Sequence, residues 1–220
     1  LTRSPREAGD RAPCPLGVCD GSGWILGPED VARPCECRER VVARDETPFT
    51  VSIEKIPNLK PAFGKDGTVT AASSSSISDG AAALVLAREE AAAGAKLAPV
   101  ARLVAHASHA HEPEWFTTAP GGAITKVLKM AGWNAGDVDL YEINEAFAVV
   151  TMAAMKDIGI AHDRVNVHGG ACALGHPIGA TGARILTTLV HALKRHGKKR
   201  GVAALCIGGG EATAVAIELS

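Results

Sequence analysis

The stretch GGACALGHPIGATG, residues 169 to 182, holds five glycines, one proline, one cysteine and His176. Glycines at that density let a backbone approach a ligand closely, and they cost chain entropy on folding that a site carries more often than a plain connection does. Pro177 stiffens the position after the histidine. His176 therefore reads as a group that moves protons, or as an imidazole satisfying the backbone of a tight turn. In INEAFAVV, Asn144 and Glu145 stand where a strand passes into a helix. Asn144 reads either as the helix cap or as an amide holding a water or a carbonyl oxygen near a helix N-terminus. Cys206 closes the apolar run GVAALCI ahead of three glycines whose N–H groups can line a pocket. Its plain reading is a small buried apolar residue. If Cys206 lies near His176, the pair can exchange a proton, and cysteine, histidine and asparagine together make a site for carbonyl chemistry. His168 reads as structural.

Elements that alternate in kind must position these groups. AAALVLA, from 81 to 87, reads as a buried strand followed by a helix in REEAAAGAK, and APVARLVAHAS as a further strand. GGAITKVLKMAGW spaces Ile124, Val127, Leu128 and Ala131 at helical intervals, with Gly132 at the C-terminal cap. DVDLYEI is a strand, and a helix runs from Glu145 to about Ile158. GARILTTLVHALKRHGKK carries one apolar face of Ile185, Leu186, Leu189, Val190 and Leu193, ends on basic residues and stops at Gly197. GVAALCI and EATAVAIEL form an antiparallel hairpin, so the whole predicts a layered α/β core. The segment from 45 to 68, with prolines at 48, 57 and 61, reads as an anchored surface loop, and SSSSISDG as a small polar turn.

Composition removes several partners. With 23 basic and 24 acidic residues the net charge is -1, so nothing draws the chain to nucleic acid or to an anionic membrane. Its apolar runs fall short of the roughly 20 residues that cross a bilayer. The start LTRSPREAGD lacks the apolar core of a secretory signal and does not begin with Met, which hints at a fragment. Six cysteines without such a signal favour reduced thiols, metal binding or catalysis, and a cytoplasmic location.

NEAF, GGACALGHPIGATG and CIGGGEA, in this order and spacing, resemble the C-terminal half of thiolases, the acetyl-CoA acetyltransferase family. The similarity continues upstream through KIPNLKPAFGKDGTVTAASSSSISDGAAALVL and covers about 45 to 220. The resemblance implies a thiolase-like layered α/β fold, C-terminal half only, preceded by a small cysteine-rich segment. Its divisions are 1–44, cysteine-rich; 45–97, the end of the loop region and a remnant of the N-terminal half; and 98–220, the C-terminal domain. It implies Claisen condensation of acetyl-CoA, or thiolysis of a 3-ketoacyl-CoA, through an acyl-cysteine, with coenzyme A thioesters as substrates and no cofactor required. By the same resemblance His176 activates the nucleophile and helps bind the thioester oxygen, and Asn144 positions a water in that oxyanion hole. Cys206 is the general acid/base, the Gly208 N–H serves a second oxyanion hole, and Ser75 contacts the pantetheine arm. Family members form dimers or tetramers, which implies a homo-oligomer.

Two departures matter. Ala72, Ser73, Ser76 and Ser78 stand where the family often has Gly and Asn, which touches the loop's fine contacts. The family's nucleophilic cysteine belongs to an N-terminal half that these residues do not contain, and Cys172 matches a variable position that reads as packing. The chain alone is thus expected not to turn over, to expose apolar surface, and to need a nucleophile-bearing partner half. Cys14, Cys19, Cys35 and Cys37 give C-x4-C-x15-C-x-C, and CDGSGW resembles a zinc-knuckle turn; the segment reads as a zinc site or as a loosely ordered stretch with free thiols. The rival function is a non-catalytic scaffold or zinc-binding interaction protein derived from a thiolase.

Overall fold

Ala105 and Ala107 in 101–110, and Ala212, Ala214 and Ala216 in 211–219, give two strands a flat, small face on which a helix can lie close. In a computed structural model, which describes residues 24–26, 32–34 and 52–220, that face is the centre of the core. The chain divides into two units, Leu1–Ile53 and Glu54–Ser220. In the first, strands β1 (Trp24–Leu26) and β2 (Ala32–Pro34) pair antiparallel, with Ile25 opposite Arg33.

The second unit opens with a 3-10 helix, Ile53–Asn58, and a turn closed by the Gly67 N–H donating to Gly64. After helix α1 (Glu89–Gly94) come β3 (Ala101–Ala110), α2 (Ala119–Ala131), β4 (Leu140–Ile143) and α3 (Ala148–Ile158). A single helical turn, α4 (Ala171–Leu174), precedes α5 (Thr181–Arg195), β5 (Arg200–Ile207) and β6 (Glu211–Leu219). The sheet order is β3-β6-β5-β4, antiparallel except for the parallel pair β4 and β5.

Strand alternation sorts the two faces. Val202 and Ala204 of β5, with Ala212, Ala214 and Ala216 of β6, meet Ala123, Ile124 and Val127 of α2 in one apolar cluster. Ala203 and Leu140 join Ile185, Leu189 and Leu193 of α5 in another. Helices thus cover both sides of the sheet, the layered α/β arrangement that the pattern predicts. Gly132 and Gly159 end α2 and α3 with φ of 69° and 73°, the left-handed closure that glycine accepts without a Cβ penalty.

Two expectations are corrected. Residues 81–87 form no strand, and Val85 and Leu86 are 94% and 76% exposed. An apolar run announces only a suitable strand; a ladder also needs a partner segment, and among the described residues none pairs with 81–87. Helix α3 starts at Ala148 rather than at Glu145, because residues 144–147 are drawn into other contacts.

Candidate active site

The parallel pair β4 and β5 brings two of the chemical residues to one edge of the sheet. Ile143 stands opposite Ala204, and the Asn144 N–H donates to the Ala204 carbonyl at 2.9 Å. Asn144 therefore leaves β4 alongside the end of β5, where Cys206 sits. Asn166, in the left-handed region at φ 48°, completes this edge. Its Oδ1 accepts the Ile143 N–H at 2.8 Å, and its Nδ2 donates to the Ile143 carbonyl and to Glu145 Oε1, each at 2.9 Å. One side chain thus takes the place of a further strand and holds 143–145 in register.

Asn144 does not cap the following helix. Phe147 occupies that position, and the Asn144 side chain, 1% exposed, turns inward. Its Nδ2 lies 3.4 Å from His176 Nε2, and its Oδ1 accepts from Arg184 Nη2 at 3.5 Å, both at the long end of hydrogen bonding.

The histidine loop is held from two sides. The Glu145 carboxylate accepts the Cys172 N–H at 3.1 Å, and a Cβ at Gly170 would collide with that carboxylate. The His176 N–H donates to the Ser76 carbonyl at 2.9 Å. Gly175 sits at φ 89°, where a Cβ would strike the Ser78 hydroxyl, so only glycine lets the loop pass this close to 74–78. Ser75 ties that segment to the Asn144 loop: its N–H and its hydroxyl both donate to the Ala146 carbonyl, at 3.2 and 3.0 Å. The Ser75 oxygen keeps lone pairs for an N–H donor. An open cleft of about 400 Å³ runs between 78–82 and 177–180, next to His176.

Electrostatics prepare the histidine as a base. Burial, then the Arg184 charge, push the His176 pKa below the usual 6.5, which keeps the imidazole neutral at pH 7. Its Nδ1 lies 2.7 Å from Thr181 Oγ1, whose hydroxyl donates to the Pro177 carbonyl at 3.0 Å. Behind them Glu142 is 2% exposed, with Oε2 3.7 Å from Arg184 Nη1. Burial outweighs the Arg184 charge and pushes its carboxyl up to about 7.

The cysteines differ. Burial and the adjacent Glu145 carboxylate push the Cys172 thiol up to about 11, which leaves almost no thiolate at neutral pH. Burial raises Cys206 as well. Among the described residues no hydrogen bond joins Cys206 to His176; Asn144 and His176 are in contact, and Cys206 stands two positions after Ala204, the residue that Asn144 bonds. Gly208 is exposed in the turn after β5, with open space where a side chain would stand. His168 pairs with His196, Nε2 to Nε2 at 3.3 Å. Cys14, Cys19, Cys35 and Cys37 lie outside the described residues, and among the described residues no group of three or more His, Cys, Asp and Glu forms a metal site. No helix among the described residues is long and apolar enough to cross a membrane.

Sequence reasoning missed Glu142, Asn166, Thr181 and Arg184. Glu142 left a trace, as the one charged residue of the buried strand LYEI. Thr181 and Arg184, three apart on a helix, share a face, but nothing in the sequence says that this face meets the loop.

Comparison with known proteins places this geometry. The sequence profile of the family described as Thiolase, C-terminal domain matches residues 97–219, and that of Thiolase, N-terminal domain matches residues 32–90. A probable acetyl-CoA acetyltransferase of Dictyostelium discoideum is 51% identical over 177 residues, 80% of this chain and 43% of that protein. The crystal structure of the Bacillus anthracis acetyl-CoA acetyltransferase superposes with a TM-score of 0.77 at 42% identity, over 90% of this chain and 48% of the other. A thiolase from Ascaris suum, in complex with coenzyme A, gives a TM-score of 0.73 at 43% identity, over 80% of this chain and 46% of the other. The chain spans about half the length of the relatives it matches, and the layered α/β arrangement is shared with them.

Proposed function

We propose, from the premise that this chain belongs to the thiolase family, that Asn144, His176, Cys206 and Gly208 are its part of a thiolase-type acyltransfer site. The reaction is the condensation of two acetyl-CoA molecules, or the thiolysis of a 3-ketoacyl-CoA in reverse. The single observation that carries the reading is the contact of the Asn144 amide with His176 Nε2, 3.4 Å apart and lodged against the end of β5.

In the condensing direction, neutral His176 takes the proton of a nucleophilic thiol, whose sulfur attacks the acetyl thioester and releases CoA. Asn144 Nδ2 and the imidazole lie where they can stabilise the thioester oxygen as it gains negative charge. The departing CoA thiolate takes the proton of the Cys206 thiol, and the Cys206 thiolate so formed removes the α-proton of a second acetyl-CoA. The resulting carbanion attacks the acyl-cysteine, so the new C–C bond forms as the C–S bond breaks. Burial makes that thiolate a stronger base than an exposed one. A Cβ at Gly208 would meet no neighbour, so ligand atoms can approach the backbone there, and its N–H is the donor we assign to the second oxyanion. The Ser75 oxygen suits an amide N–H of a pantetheine arm lying in the adjoining cleft.

Cys172, with its thiol held near 11, is a packing residue and not the nucleophile. The acyl-accepting thiol then comes from polypeptide outside these 220 residues, in a nucleophile-bearing half. We take 1–44 as a cysteine-rich segment, 45–97 as loop and N-terminal-domain sequence, and 98–220 as the C-terminal domain. Zinc on Cys14, Cys19, Cys35 and Cys37 rests on their spacing, and a reducing compartment such as the cytoplasm suits free Cys172 and Cys206.

The test is binding followed by NMR on the labelled chain. Acetyl-CoA is expected to shift the His176, Ser75 and Gly208 resonances together. Saturating acetyl-CoA that leaves all three unmoved rejects the reading and favours the non-catalytic scaffold.

A further inference from the structure

Glu142 and Arg184 raise a question the acyltransfer chemistry does not answer. A buried ion pair often contributes less than a well-packed apolar pair would, because both charges lose their water. Here Glu142 Oε1 and Arg184 Nη1 are buried with no hydrogen-bond partner among the described residues, and the two groups meet only at 3.7 Å. The pair is poorly made as a stabilising device. Its other neighbour is Asn144, whose Oδ1 lies 3.5 Å from Arg184 Nη2.

A guanidinium only donates hydrogen bonds, so Asn144 must turn its oxygen to Arg184 and its NH₂ to His176. An amide NH₂ also only donates, so His176 Nε2 must be the nitrogen with the free lone pair. The proton then sits on Nδ1, which donates to Thr181 Oγ1 at 2.7 Å; the Thr181 hydroxyl proton is already given to the Pro177 carbonyl. Donors and acceptors agree at every link, from Arg184 to Pro177. With the Asn144 amide turned over, Arg184 would face an NH₂ group and Asn144 would call for a proton on Nε2.

We infer that the buried Glu142–Arg184 pair is a positioning device, which fixes the Asn144 amide and through it holds His176 as the Nδ1–H tautomer with Nε2 free. Glu142 holds Arg184 beside the amide; Arg184 selects its orientation; Asn144 carries the selection to the imidazole. Neither charged residue touches substrate. The purpose of a free Nε2 rests on the acyltransfer reading, but the tautomer itself does not.

The experiment is long-range 1H–15N NMR on the full chain labelled with 15N-histidine, with His176 assigned by its loss in His176→Asn. The wild type is expected to show unprotonated Nε2 and an Nδ1–H. Arg184→Met, which keeps the aliphatic stem and removes every donor, is expected to move His176 toward the Nε2–H form and, by removing the neighbouring charge, to raise its pKa. Arg184→Lys retains a donor for Oδ1 and restores most of the wild-type spectrum. In an Asn144→Ala background, Arg184→Met is expected to leave the tautomer ratio unchanged. Where Arg184→Met alone does not fold, Glu142→Gln combined with Arg184→Met removes the stranded carboxylate and gives the same readout. A wild-type tautomer in the folded Arg184→Met chain overturns the inference, as does an equal tautomer shift with and without Asn144. Failure of acetyl-CoA to bind would reject the acyltransfer reading and leave this result untouched.

Discussion

His176 Nδ1 stands 2.7 Å from the hydroxyl of Thr181, the first residue of α5, so the start of that helix aims the imidazole. Thr181 is 1% exposed and lies five positions after the histidine it holds. Replacing it with valine keeps the shape and removes the acceptor. Thr181→Val is expected to cost about 1–3 kcal/mol in urea unfolding, the usual penalty of stranding a buried donor, and to raise the fraction of Nε2–H tautomer. Thr181→Ser should recover the tautomer; a valine variant with the wild-type tautomer would show that Thr181 does not orient the ring.

The pH behaviour of His176 follows from the direction of its shift. Because its pKa is held below 6.5, the neutral imidazole persists as pH falls past the value at which an exposed histidine protonates. Carbethoxylation of His176, followed by peptide mass mapping, should lose half its rate at a lower pH than that of a histidine in the urea-unfolded chain. A midpoint at or above the unfolded value would contradict the assigned environment.

Glu142 makes the opposite contribution to stability. Its folded pKa, about 7, lies above the ordinary carboxyl value of 4.5, so the native state binds the extra proton. The stability this supplies is complete below about pH 4.5 and is lost as pH rises through about 7. Glu142→Gln should flatten that part of the profile of urea midpoint against pH. An unchanged slope between those limits would mean that Glu142 is ionised throughout.

Cys172 is expected to be slow toward iodoacetamide at pH 7.5, since burial and the Glu145 carboxylate both oppose its thiolate. Glu145→Gln removes the second influence and should speed alkylation several-fold in a mass-spectrometric time course, by lowering the thiol pKa. Rapid alkylation of Cys172 in the wild type would reopen it as a nucleophile.

Zinc on the first segment is tested by elemental analysis of chain purified without added metal. A ratio near one per chain, lost when Cys14 and Cys19 become serine, supports the site. A ratio well below one removes it.

Much of the arrangement is legible in residue order because its causes are local. The apolar stripe from Ile185 to Leu193, the glycine ends at 132 and 159, and the alternating alanines of β6 each follow from helical or strand periodicity and from turn chemistry. The three motifs around Asn144, His176 and Cys206 likewise identify the family, because their spacing is itself sequence. Tertiary structure alone decided which residues meet. Nothing near Asn144 in the chain points to Arg184, 40 residues on, or to the pairing of Arg184 with Glu142. The run at 81–87 has every local mark of a strand and no ladder, because pairing belongs to two segments and only one of them was being read. Proton positions at His176 are decided in the same way, by donors and acceptors that the end of β4, the histidine loop and α5 bring to one place.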